Sequence, residues 1–214
     1  MQLGVPKELF GKFAQRRRQQ MSRLLLQSMQ PDQGDTCLEL GGPIVGLQGV
    51  TERFRRYIVL NLDPSALQSV RCLESHRLAY GVRADAVCLP FPDKSVDYLV
   101  SNALLEHVMP PSRRPRFAEE VRRVARKGYF ISAPNFWFPL EPHYFMPFFQ
   151  FLPESLKRWL VQRVSMGCMS KESYEPVSLS TTRELRRLFP EATVTGLSFT
   201  GAFPETIIAW QRFE

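Results

Sequence analysis

Cysteine is scarce in these 214 residues, with four at positions 37, 72, 88 and 168. None forms a C-x-x-C pair and none has a histidine at zinc-finger distance. Neither a disulfide scaffold nor a structural metal cluster is expected, and no metal ligand is assigned. The thiols read as reduced, which places the chain in the cytoplasm. Histidine is scarcer still, with three in the chain. No apolar run reaches 18 residues, and the N-terminus lacks the apolar centre of a secretory leader, so neither a membrane span nor a signal peptide is expected. The dinucleotide fingerprint G-x-G-x-x-G is missing, and there is no internal repeat.

What is present is globular. A hydrophobic fraction of 44% with 23% charged residues excludes collagen and disorder. The length suits one domain over 1–214, able to bury about 70% of the surface its unfolded chain exposes. Lysine and arginine outnumber acids 28 to 21, for a net charge of +7. Much of the excess lies in Arg16-Arg17-Arg18, Arg113-Arg114, Arg122-Arg123 and Arg186-Arg187. These pairs are not interleaved with aromatic residues as single-strand binders require, so solvated helix faces are expected rather than a nucleic-acid partner.

Leu9, Phe13, Met21, Leu24, Leu25 and Met29 recur at helical spacing, which predicts one or two helices within 1–30, a cap ahead of the core. Short apolar runs predict strands at 36–40, 57–63, 96–101, 129–133, 192–197 and 206–211. Helices are expected after Pro64 with Ser65 as cap, over 112–126, and over 183–189 with Thr181 or Thr182 as cap. Strands alternating with helices predict an open, mostly parallel α/β sheet. The stretch 134–176 breaks the alternation. Ten of the 25 aromatic residues lie between 129 and 151, punctuated by Pro134, Pro139, Pro142, Pro147 and Pro153. No regular helix survives that many prolines, so the stretch reads as an insertion serving as lid or acceptor pocket.

Ligands of open α/β sheets gather beyond the carboxyl ends of the strands. Glu39-Leu40-Gly41-Gly42-Pro43, with Gly46, closes the first strand, and its glycines let the backbone pass close to a ligand. A glycine turn also serves as a plain strand-to-helix connection. Asp63 closes the second strand, positioned either to hold ribose hydroxyls or to cap the following helix. The third and fourth ends are Asp85 to Asp97 and Ser101 to Val108.

The pattern D-A-x-x-L-P-F-P-D-x-S-x-D over 85–97, followed by L-x-S-x-x-x-L-E-H-V over 99–108, resembles the class I S-adenosylmethionine-dependent methyltransferases of the type 11, small-molecule kind. The likeness covers roughly 36–133. It implies a Rossmann-like seven-stranded sheet in the order 3-2-1-4-5-7-6, last strand antiparallel, with 206–211 as strand seven. It also implies S-adenosyl-L-methionine as cofactor. By position, Glu39, Gly41 and Gly42 match the loop along the methionine part, Asp63 the ribose acceptor, Asp85 and Ala86 the adenine contacts, and Ser101 the neighbourhood of the transferring methyl. The chain departs from the family's D/E-x-G-x-G-x-G, since Pro43 stands at the second glycine and the third is displaced to Gly46. That departure keeps a non-catalytic binding or scaffold protein of the same fold as the alternative.

Methyl transfer to an oxygen or nitrogen nucleophile requires a proton acceptor, and His143 and His107 are the candidates. His107 follows the fourth strand; His143 lies in Glu141-Pro142-His143-Tyr144 within the insertion. Each is otherwise a hydrogen-bonded structural histidine; His76, on an expected surface helix, is set aside. The expected acceptor is a small molecule, a glycan or a lipid-linked molecule. Asn135, Trp137 and Tyr144 form either its pocket or a small second core. The apolar run 145–152 before Lys157-Arg158-Trp159 suggests peripheral membrane contact through 145–159.

Overall fold

The computed structural model describes residues 7–42, 49–68, 70, 79–141, 143–144, 146–163, 176–198, 201 and 203–213, with side chains from Gln15 onward. Pro43 and Gly46 of the glycine loop, Cys72, His76, Cys168 and the side chains of Leu9 and Phe13 lie outside the described residues.

One long helix, α1 (Lys7–Met29), precedes the sheet. Then follow β1 (Thr36–Leu40), β2 (Arg56–Asn61), α2 (Pro64–Gln68), β3 (Ala79–Arg83), β4 (Val96–Asn102), α3 (Arg114–Val124) and β5 (Ala125–Pro134). The insertion holds a two-residue ribbon, β6 (Leu140–Glu141) with β7 (Met146–Pro147), and α4 (Glu154–Arg163). The chain ends with α5 (Thr182–Leu188), β8 (Thr193–Leu197) and β9 (Thr206–Arg212).

The sheet runs β3-β2-β1-β4-β5-β9-β8. Its first four pairings are parallel, and β9 lies antiparallel to both β5 and β8. This is the 3-2-1-4-5-7-6 order that the resemblance implies. Of the strands legible as apolar runs, β1, β2, β4, β5 and β9 sit centrally, and β8 forms one edge. β3 escaped the strand reading because it is an edge strand of mixed character, AYGVR, with its side chains half-buried or exposed.

Helices cover both faces. On one, Met21, Leu25 and Met29 of α1 pack against Cys37, Tyr57, Tyr98 and Phe130. On the other, Phe117, Val121 and Val124 of α3 and Leu185 and Leu188 of α5 pack against Leu38, Leu40, Leu99 and Ile131. At the lower end of the sheet Asp97 accepts from Thr36 N and from Arg126, while Asp35 holds Lys127.

The boundaries choose among the expected caps and shorten one helix. Asp63, not Ser65, caps α2, its carboxylate accepting from the Ser65 amide at 2.8 Å and hydroxyl at 2.6 Å. Thr181 is the cap of α5, accepting from Glu184 N at 3.1 Å. The helix expected over 112–126 is shorter because the backbone turns extended at Ala125 and enters β5 directly.

Candidate active site

The glycine turn after β1 sits at the top of the sheet. Gly41 N donates to Leu60 O at 2.8 Å, and Gly41 adopts φ +81°, where a Cβ would strike Leu104 at 2.8 Å. A Cβ on Gly42 would fall 2.1 Å from the Glu39 carboxylate. The two glycines thus open room that the buried Glu39 side chain fills from below. Burial, then the Glu39 charge, pushes the Cys37 thiol and the Tyr57 hydroxyl beside it well up.

Asn61, at the end of β2, organises this corner. Its Nδ2 donates to Gly41 O at 3.1 Å and Gly42 O at 2.9 Å, and its Oδ1 accepts from Asp63 N at 3.0 Å. It was not legible as a site residue, although an amide next to an expected ribose-binding Asp is a signal. Asn61→Ala releases both loop carbonyls, and each lost hydrogen bond costs about 1 kcal/mol. Urea unfolding should show the variant less stable by about 2 kcal/mol. Unchanged stability would mean that the loop holds its shape without this latch.

Asp63 is exposed at the same strand end, and its hydrogen bonds from the Ser65 hydroxyl and amide hold its carboxyl below the usual range. It therefore caps α2 and presents an anion to the crevice at once. Asp85 accepts from Val87 N at 3.1 Å and pairs with Arg113 at 2.6 Å. A carboxylate has about four lone-pair sites, so this leaves capacity for another donor. Ala86 is buried in the next turn. The loop 85–93 hangs on α3: the buried Glu120 accepts from Leu89 N at 2.7 Å, and Arg123 donates to Leu89 O, Phe91 O and Asp93.

Ser101, opposite Leu40, is fully buried, and its Oγ has no hydrogen-bond partner among the described residues. Beyond it Ala103 takes φ +54°, a strained choice for alanine, and a helical turn over Leu105–His107 follows. That turn sends Glu106 inward and leaves His107 exposed.

The insertion brings His143 to the same place. Glu141 is buried and accepts from His143 N, from Tyr144 N at 2.7 Å, and contacts His143 Nδ1 at 2.6 Å. His143 Nε2 stands 3.9 Å from Glu106, whose carboxylate is entirely buried and receives no hydrogen bond from another described residue. The His107 and His143 rings meet edge-on at 5.6 Å, and donor atoms of Glu106, His107 and His143 lie within 4.8 Å of one another. Burial pushes the Glu106 carboxyl up to about 7, against its own backbone hydrogen bond and the His143 and Arg114 charges. Burial works to lower the His143 pKa, but the Glu141 hydrogen bond and the charges of Glu141 and Glu106 together raise it. The Arg17 charge, from α1, favours ionised Glu106 and neutral His143, so α1 borders this cluster. Glu106 and Glu141 were overlooked as functional residues; a carboxylate one or two residues before each histidine was the available sign.

Behind Glu141 lies a cavity of about 170 Å³ lined by Phe136, Tyr144, Phe149, Lys157 and Leu179. Tyr144 and Phe149 also belong to a small apolar cluster with Met146 and Val161. Asn135 does not reach this cavity: its side chain donates to Pro204 O and accepts from Trp137 N.

A model of the methyltransferase domain, type 11, matches residues 41–132. That stretch, a little under half of the chain, is similar to the family's domain. A methyltransferase of unassigned function from Mycolicibacterium vanbaalenii is 35% identical over 96 residues, 44% of this chain and 36% of the relative. A similar protein from Mycobacteroides abscessus is 36% identical over 100 residues, again 44% of this chain and 37% of its own. The match thus spans little more than a third of these relatives' length. A solved protein from Pyrococcus horikoshii has the same fold at TM-score 0.64 and 14% identity, over 92% of this chain and 90% of its own. So does the N-methyltransferase NodS from Bradyrhizobium japonicum, at 0.62 and 12%, over 94% and 96%.

S-adenosylmethionine is the cofactor that the match to the methyltransferase domain implies, and the residues present fit it. The glycine turn is bare backbone where Leu104 and Glu39 leave no room for a side chain of its own, Asp63 and Asp85 retain acceptor capacity at successive strand ends, and the stranded Ser101 hydroxyl marks a polar point at the head of β4. A buried hydroxyl without a partner costs about 1–3 kcal/mol, which a ligand group or water there offsets.

Proposed function

We propose that this methyltransferase domain transfers a methyl group from S-adenosylmethionine to an oxygen or nitrogen of a small-molecule, glycan or lipid-linked acceptor in the cytoplasm. When bound, the cofactor supplies a methyl already activated on a sulfonium. The chain's own work is to align the reactants, exclude water and take a proton. Glu39, Gly41 and Gly42 line the cofactor's methionine end, with Ser101 nearest the methyl; Asp63 holds the ribose hydroxyls; Asp85 and Ala86 hold the base. Glu141 accepts a hydrogen bond from Nδ1–H of His143, which leaves the Nε2 lone pair, on the Glu106 side of the ring, free to take a proton. His143 is then the general base and Glu141 its positioning residue, while Glu106 stabilises the imidazolium formed. His107, ring to ring with His143, borders the acceptor on the exposed side.

The observation that supports this reading is a Glu–His–Glu cluster built on the turn that follows β4, the strand whose end carries Ser101. An oxygen or nitrogen nucleophile needs that proton sink. The test is release of S-adenosylhomocysteine with panels of hydroxyl and amine acceptors. Turnover with at least one panel member, lost in His143→Ala, is expected. Cofactor binding without turnover on any panel would favour the scaffold alternative, which the altered glycine loop supports.

A further inference from the structure

Apolar side chains stand out on one part of the molecule. Of the nine large apolar side chains exposed among the described residues, five lie within the insertion, namely Trp137, Phe148, Phe151, Leu156 and Trp159, each 40–60% exposed, while Leu62, Tyr80, Met109 and Phe203 are scattered elsewhere. Trp137 and Phe151 pack ring to ring at 6.2 Å, each also touching Phe136. Leu156 and Trp159 share a face of α4, three residues apart. Phe148 is the most telling: at φ +58° it occupies the left-handed region while presenting 60% of its surface to solvent. A bulky residue costs of order 1–3 kcal/mol there, and glycine would relieve it. Folding alone does not explain an exposed phenylalanine at that position.

The charge beside this face is basic. α4 exposes Arg158 and Arg163, while Lys157 turns inward and pairs with Glu154 at 3.5 Å, and Arg163 stacks on the Trp159 ring at 4.3 Å. Aromatic residues with flanking arginines suit the headgroup layer of a bilayer, where tryptophan is favoured and cations meet anionic lipid. Among the described residues no helix is long and apolar enough to cross a membrane, so the contact is peripheral. The face also adjoins the active site through one small ribbon. Glu141 on β6 pairs with Met146 on β7, and Phe148 N donates to Pro139 O just beyond.

We propose that this face docks on a bilayer bearing anionic headgroups and so brings His143 to a membrane-borne acceptor. The second half rests on the methyl-transfer reading; the docking does not. Two of the three tryptophans, Trp137 and Trp159, lie on the face and report on it directly. The experiment is flotation of the full chain with vesicles of phosphatidylcholine alone or with a quarter phosphatidylglycerol, alongside tryptophan emission. Binding to the anionic vesicles, a blue shift of emission and weakening by salt are expected. Phe148→Gly should bind about tenfold more weakly or worse, from the lost apolar insertion, while melting no lower than the parent because its φ suits glycine. Trp159→Ala should weaken binding similarly. No flotation, equal binding to neutral vesicles, or binding untouched by either variant overturns the proposal. Self-association lost in Phe148→Gly without vesicle binding also overturns it, in favour of a protein interface. Cofactor calorimetry on the same samples separates a failure of docking from a failure of the methyltransferase reading.

Discussion

His143→Ala should lower kcat by about 10²–10⁴, the usual contribution of a positioned general base. S-adenosylmethionine affinity should be unchanged, because the proposed role of the histidine is toward the acceptor and not the cofactor. The pH profile carries the sharper prediction. Glu141 and Glu106 raise the His143 pKa despite burial of the ring. The base form therefore dominates only above that raised value, and the rate should fall on the acid side at higher pH than an ordinary histidine allows. Glu141→Gln keeps an acceptor for the Nδ1 proton but removes the charge, so the acid limb should move to lower pH with a smaller loss of rate than His143→Ala. Glu106 titrates near the same range, so the limb belongs to the coupled group rather than to one residue. An acid limb that stays in place in Glu141→Gln would remove His143 from the proton step.

Arg114→Ala should destabilise the fold by about 3–5 kcal/mol, as when one partner of a buried pair is removed. Arg114 is 1% exposed at the start of α3. It donates to the Glu184 carboxylate at 2.8 Å, to Ser178 O and to Ser180 Oγ, tying the chain before α5 to the helix. The same segment reaches the active site, since Ser178 N donates to Glu106 O and Phe136 N to Ser180 O. Losing the guanidinium strands a carboxylate and a carbonyl and loosens the wall behind Glu106. A domain with a total stability of 5–15 kcal/mol loses a large part of it. Arg114→Lys should recover only some, because a single ammonium cannot serve three acceptors arranged around a planar fork. Denaturant midpoints at constant slope measure the effect, and a loss below about 1 kcal/mol would show that α3 and α5 are held by their apolar faces alone.

The central sheet was readable because β1, β2, β4 and β5 are apolar on both faces, and the caps at Asp63 and Thr181 follow from local side-chain chemistry. β3 was hidden by its edge position, where solvent replaces the apolar neighbours that make a strand visible. The motif over 85–97 led to the family, yet several of its residues serve structure. Leu89 and Asp93 are held by Glu120 and Arg123, and Asp97 braces Thr36 and Arg126 at the opposite end of the sheet. The acceptor-side cluster was half legible. Both histidines were singled out, but Glu106 and Glu141 matter through burial and distance, which depend on how the insertion returns to the end of β4. Asn61 is similar: its role is to bind carbonyls of another strand's turn, and nothing local to β2 announces it.

The most direct test of the account is calorimetric titration of S-adenosylmethionine and S-adenosylhomocysteine into the parent chain and its Asp63→Ala and Asp85→Ala variants. Micromolar binding of both ligands, lost in both variants while the fold is retained, is the predicted result. No binding at millimolar cofactor, or binding indifferent to both substitutions, would contradict the placement of the cofactor at these strand ends and the methyl-transfer reading built on it.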